Sequence, residues 1–111
     1  MALVHVVMWT LKDEAEGAPR AANAARMKAL LESMRGKVPG LSRLEVGIAA
    51  PGLEANCDVV LLAEFSNAAA LAAYQDHPEH LAMKPWIGAI RATRHVLDYY
   101  APAGATAEAT T

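Results

Sequence analysis

Two short apolar runs, LVHVVMWTL at residues 3–11 and CDVVLLAEF at residues 57–65, constrain the fold of this 111-residue chain more than any other feature. Both are rich in β-branched residues and too short to stand alone as helices. Each therefore reads as a strand with apolar side chains on both faces, the pattern of a central sheet position. Strict alternation puts Leu3, His5, Val7, Trp9 and Leu11 on one face of the first run and Val4, Val6, Met8 and Thr10 on the other.

Two further segments complete a sheet. In residues 41–49, Leu44, Val46 and Ile48 alternate with Arg43, Glu45 and Gly47, and TRHVLDYY at residues 93–100 reads as a last strand. Between the strands the period changes from two to 3.6. From Arg20 to about Arg35 the set Met27, Leu30, Leu31 and Met34 recurs on one helical face, with Pro19 placed for a first turn and Gly36 as a stop. Asn67 opens a helix to about Gln75, and a second helical piece starts at Pro78 and runs to about Ile90, with a break expected near Lys84-Pro85.

The order β-α-β-β-α-β is the split βαβ or ferredoxin-like arrangement, an α+β fold whose four-stranded antiparallel sheet is covered by helices on one face. The opposite face keeps apolar residues from both central strands. Pairing with a second copy of the chain would cover it, giving an isologous homodimer with a barrel-like core. One domain over residues 1–100 is expected, followed by a disordered tail over 101–111, where small and polar residues bury too little to offset ordering entropy.

Charge narrows the partners. Ten Lys and Arg stand against twelve Asp and Glu, for a formal net charge of −2, and neither sign runs in blocks, so nucleic acid is not an expected partner. No apolar run approaches the roughly 20 residues needed to span a bilayer, and the N-terminus lacks the features of a secretion signal. A cytoplasmic protein without membrane contact is the expectation. The single cysteine, Cys57, has no cationic neighbour in sequence and reads as a packing residue.

One stretch carries chemistry: AAYQDHPEHLAM, residues 72–83, holds one of the three tyrosines and two of the four histidines. A neutral imidazole at His80 can take a proton from carbon next to a carbonyl, and the phenol of Tyr74 can hydrogen-bond the enolate oxygen that develops. His77-Pro78 is more simply the start of a helix, since proline suits a first turn and the preceding residue can cap it. The HPEH spacing also places His77 and His80 on one helical face, but no further Cys or His pair accompanies them, so no metal is expected. Trp9 and Trp86 read as core or cavity wall, with no Gly-rich phosphate loop and no cofactor implied.

The segments HVVMWTLKDE, VPGL, FSNAAALAAYQDHPEHLAMKPWI and RHVLDYY together resemble the stress-responsive A/B barrel (Dabb) family over about residues 2–100. The resemblance implies a subunit that dimerises through its sheet into a dimeric α/β barrel. It also implies a site, because the family includes a plant polyketide cyclase that closes a linear poly-β-ketide by aldol condensation without metal or organic cofactor. Tyr74 and His80 match that enzyme's acid–base pair, His5 a cavity histidine, His77 the first histidine of the run, and Asp98 an aspartate of the last strand. Leu31 stands where the cyclase has a further cavity tyrosine. Two expectations follow: a cofactor-independent cyclase or isomerase acting on a small apolar carbonyl compound, or a non-enzymatic barrel whose role is assembly or protection.

Overall fold

The computed structural model describes residues 1–102. Strand β1 (Leu3–Leu11) is followed by a small hairpin of β2 (Glu14–Ala15) and β3 (Ala18–Pro19), helix α1 (Arg20–Glu32), strands β4 (Leu41–Ile48) and β5 (Val59–Phe65), helices α2 (Ala68–Asp76) and α3 (Pro78–Ile90), and strand β6 (Arg91–Tyr100). The main sheet has the order β4-β5-β1-β6 with every neighbouring pair antiparallel. This is the ferredoxin-like α+β architecture, with the two doubly apolar runs at its centre.

Register decides which side chains share a face. Opposite His5 stand Ala63 on β5 and Asp98 on β6, and opposite Trp9 stand Val59 and Arg94. These residues look toward the helices, where Val7, Leu61 and Phe65 meet Met27, Leu31 and Met34 in one buried core. Each fully buried side chain of this size contributes roughly 1.5–3 kcal/mol by leaving water. The other face is uncovered: Met8, Leu97 and Tyr99 are exposed, with Leu97 at 63 % of its free surface. One polar pair interrupts it, where Arg43 reaches the buried carboxylate of Glu64 at 3.1 Å.

Local chemistry explains the boundaries that differ from the sequence expectation. Helix α1 ends at Glu32, a turn early, with Ser33 as its C-cap. Gly36, at φ +77°, takes the left-handed position in the turn that follows. Glu16 and Gly17 both have positive φ, as a two-residue hairpin turn requires, and the Asn23 side-chain amide donates to the carbonyls of Ala15 and Ala18 to fasten that hairpin to α1.

Helix α3 does not break at Lys84-Pro85 but runs through Pro85. The proline and Leu81, whose carbonyl it leaves unbonded, both lie on the exposed side, where water can satisfy that oxygen. Ala101 is buried and donates its N–H to Ala2 O at 2.9 Å, so the chain stays pinned just past β6. The tail expected to be disordered falls, from residue 103 on, outside the described residues.

Gly40 fixes how α2 meets the sheet. Its φ of +89° is left-handed, and a Cβ there would stand 2.7 Å from Ser66 Oγ and 2.8 Å from Ala70 Cβ. Backbone strain and overpacking thus coincide at one position. Gly40→Ala should destabilise the chain by roughly 2–4 kcal/mol in urea or thermal denaturation, whereas Gly36→Ala, with open space around it, should cost only the strain of its backbone, about 1–2 kcal/mol.

Candidate functional site

His5 lies in the middle of β1 on the helix-facing row and is almost completely buried. Its Nδ1 pairs with Asp98 Oδ1 across the β1–β6 ladder. A carboxylate can only accept, so Nδ1 carries the hydrogen and Nε2 is left as the acceptor. The Asp98 side chain, which the resemblance placed on the last strand, engages His5 because the register sets these two residues directly opposite.

Tyr74 and His80 come from either side of the junction between α2 and α3. His77 is extended (φ −59°, ψ 135°) and serves as the N-cap of α3, its Nδ1 accepting from Glu79 N–H at 3.1 Å, with Pro78 in the first turn behind it. The capping reading of His77 therefore holds, and this residue is not drawn into the site. The turn brings the Tyr74 and His80 rings to 4.6 Å between centroids, edge to face, while Tyr74 lies 5.3 Å from Phe65 and 6.4 Å from His5. The three candidate side chains thus converge.

Burial sets their protonation. Tyr74 is 0 % exposed, and its phenol is pushed up to about 12, so the hydroxyl remains a donor at any physiological pH. His80 is lowered to about 4, first by burial and then by the positive charge of Lys84 and by His5, against a weaker opposing influence of the Gln75 backbone. Its ring is neutral at pH 7. The buried Tyr74 hydroxyl, His80 Nδ1 and Trp9 Nε1 have no hydrogen-bond partner among the described residues.

His80 and Trp9 line a cavity of about 550 Å³ between the sheet and the helices, while Tyr74 packs against His80 without lining it. Its floor is His5, Val7, Trp9 and Leu61 from the sheet with Leu31 from α1, and His80, Met83 and Ile87 of α3 form a wall. The mouth carries Gln75, Asp76, Lys84, Gly88, Arg91 and Arg94. Leu31 lines the cavity at the position the resemblance assigned to it. Trp86 does not: it is half-buried beside the core, with the Arg26 guanidinium 4.4 Å over its ring. Among the described residues no three His, Cys, Asp or Glu side chains are gathered in a way that could hold a metal ion.

The polar mouth was missed in the sequence. His80, Lys84 and Gly88 recur at intervals of four, which is one face of a continuous helix, and Arg91 follows as its extended C-cap. That signal is visible only if the helix is carried through Pro85.

The sequence profile of the Stress Responsive A/B Barrel Domain, Dabb, matches residues 3–101. No curated protein sequence matches the chain. Among solved structures, a dimeric protein of unknown function and ferredoxin-like fold from Bacteroides fragilis is similar, with a TM-score of 0.75, 25 % identity, and coverage of 90 % of this chain and 96 % of the other. A dimeric ferredoxin-like protein of unknown function from Thermobifida fusca superimposes with a TM-score of 0.77 at 22 % identity, covering 91 % and 92 %. The hydroxynitrile lyase from Passiflora edulis has a TM-score of 0.72 at 16 % identity, covering 92 % and 94 %.

The depressed His80 has a thermodynamic consequence. The ring is neutral in the folded chain but takes up a proton below about pH 6.5 when unfolded, so its contribution to stability is complete above that value and is lost as pH falls toward 4. Wild-type stability should therefore drop more steeply between pH 6.5 and 4 than that of His80→Gln. A difference of about 2 kcal/mol in urea unfolding is expected, allowing for solvent screening of a ring that is only partly enclosed.

Proposed function

The chain belongs to the stress-responsive A/B barrel (Dabb) family, and from that premise we propose that its cavity binds a small carbonyl compound and enolises it, as a cofactor-independent cyclase or isomerase. The observation that carries this reading is that His5, its Nδ1 paired with Asp98, and the neutral His80 line one cavity, with the unpartnered hydroxyl belonging to Tyr74, whose ring packs against His80. A buried hydroxyl without a partner is costly, and a ligand oxygen would relieve that cost.

Roles follow from the hydrogen bonds. His5 Nε2 is assigned the role of base, because Asp98 holds the ring through Nδ1 and leaves Nε2 free to accept, whereas burial and Lys84 disfavour positive charge on His80. His5 removes a proton from the carbon beside the ligand carbonyl, and the C–H electron pair moves to form the enolate. Tyr74 O–H and the neutral His80 ring hydrogen-bond the enolate oxygen. His5 returns the proton to a different carbon in an isomerisation. In an aldol closure, the enolate carbon attacks a second carbonyl of the same ligand and His5 protonates the new alkoxide.

The Passiflora edulis neighbour is described as a lyase, so this fold accommodates such an enzyme. At 16 % identity that likeness concerns the fold, and the reading here rests on the cavity.

Tyr74→Phe tests it. Removing an unsatisfied buried hydroxyl should leave stability unchanged or raise it by up to about 1 kcal/mol, while thermal shifts by small diketones and exchange of their α-hydrogens with deuterium fall about tenfold or more. A variant that loses stability but keeps its ligands would assign Tyr74 to the core. The rival reading, in which assembly itself is the function, would then be preferred.

That rival draws on the uncovered sheet face. Val6, Met8, Leu62 and Leu97 lie together there by register, and the Bacteroides and Thermobifida neighbours are dimeric. We read this face as the homodimer interface under either function. Sedimentation at micromolar concentration should show a dimer, and Leu97→Glu, a change at an exposed position of the subunit, should release folded monomers.

A further inference from the structure

The cavity mouth holds charge that the acid–base chemistry does not use. Of the ten cationic side chains, Arg20, Lys28, Arg35, Lys37 and Arg43 pair with carboxylates, and Arg26 stacks on Trp86. Four have no anionic or aromatic partner among the described residues, and three of these four, Lys84, Arg91 and Arg94, line the one cavity. A single carboxylate at the mouth, Asp76, faces them, while Asp98 is committed to His5. With the histidines neutral, Lys84, Arg91 and Arg94 against Asp76 and the Asp98 carboxylate behind His5 still leave a net positive charge, in a chain whose formal net charge is −2. The field reaches the interior, since Lys84 and Arg94 both act on His80.

Backbone geometry narrows the anion. The cations sit along the second half of α3 and just beyond its end, where the helix dipole is negative and no free N–H groups cluster, so a doubly charged phosphate would gain nothing from the backbone. Guanidinium groups matched to a planar carboxylate suit this mouth better. Gly88 leaves the passage open: it stands on the same helical face, and a Cβ there would meet nothing within 4 Å.

We propose that the cavity selects a keto acid, its carboxylate held at the mouth by Lys84, Arg91 and Arg94 while its ketone oxygen reaches His80, against which Tyr74 packs. This rests on the carbonyl-binding reading and adds a substrate class to it. The body of the ligand then lies across the apolar floor of Val7, Trp9 and Leu61, and a neutral ketone forfeits the anchor. Arg94 and Lys84 are specificity-determining residues on this view, remote from the proton transfer.

Three matched probes test it by calorimetry on the full chain: phenylpyruvate, its methyl ester, and hydrocinnamate, which keeps the carboxylate but lacks the ketone. Phenylpyruvate should bind about tenfold to a hundredfold more tightly than the ester, and the preference should shrink with added salt and vanish in Lys84→Met/Arg94→Met. Equal binding of acid and ester, with both weakened by a Gly88→Leu plug, would overturn the anchor and leave the carbonyl site standing. Hydrocinnamate binding as tightly as phenylpyruvate would support the anchor and overturn the carbonyl reading. Failure of all three to bind, or binding untouched by Gly88→Leu, would overturn both.

Discussion

The site depends on one geometric relation, the antiparallel register that sets His5 of β1 opposite Asp98 of β6. A slip of one residue would turn Asp98 to the uncovered face and bring Leu97 or Tyr99 inward. Strand β6 is an edge strand, exposed along most of its length, so core packing alone does not hold it. Its two ends do. The Thr10 and Thr93 hydroxyls bond at 2.6 Å beside an irregularity in the ladder at Thr10/Leu11, and at the far end Ala101 N–H reaches Ala2 O. Between these two fastenings the register has no freedom, and the imidazole tautomer of His5 follows from it.

A second constraint is energetic. Buried polar atoms without partners cost about 1–3 kcal/mol each, and well-packed domains keep few of them. Here His80 Nδ1 and Trp9 Nε1 belong to residues lining one cavity, the Tyr74 hydroxyl belongs to the ring packed against His80, and Trp86 Nε1 stands beside the core. Phenylalanine would pack against Phe65 at position 74 just as well, without an orphaned donor. A core selected for stability alone would not be expected to gather such groups on one side of the sheet, and that asymmetry is what the proposed ligand site rests on.

Most of the fold was legible because its signals are local. Period-two alternation in β1 and β5 gave the central strands, Asn67 was a cap that accepts from Ala70 N–H at 2.8 Å, and His77-Pro78 opened a helix as such pairs do. His5, Tyr74 and His80 were reached through the family resemblance, and the folded chain brings them together. What the residues alone could not supply was partner choice. Whether Asp98 serves His5 or His80 depends on strand pairing across more than ninety residues of chain, and whether Trp86 faces the cavity or Arg26 depends on helix rotation. Leu31 shows the limit from the other side, since it lines the cavity while the shape of that cavity was not readable from the sequence.

The charged mouth was hidden for a different reason. Formal charge is a sum over the chain, and Lys84, Arg91 and Arg94 vanish in it although α3 and the start of β6 bring them to one mouth. That grouping requires α3 to continue through Pro85, against two local penalties: proline disfavours helical backbone at the preceding residue, Lys84, and it removes a hydrogen bond to Leu81. The inner side of the helix outweighs both, because Met83 and Ile90 flank the proline and are buried in the core. A break at Lys84 would pull one of them out of contact at a cost of about 2–3 kcal/mol, comparable with the proline penalty, while water satisfies the freed carbonyl on the exposed side. Core packing thus keeps the helix continuous, and the continuous helix is what brings His80, Lys84 and Arg91 to the same cavity.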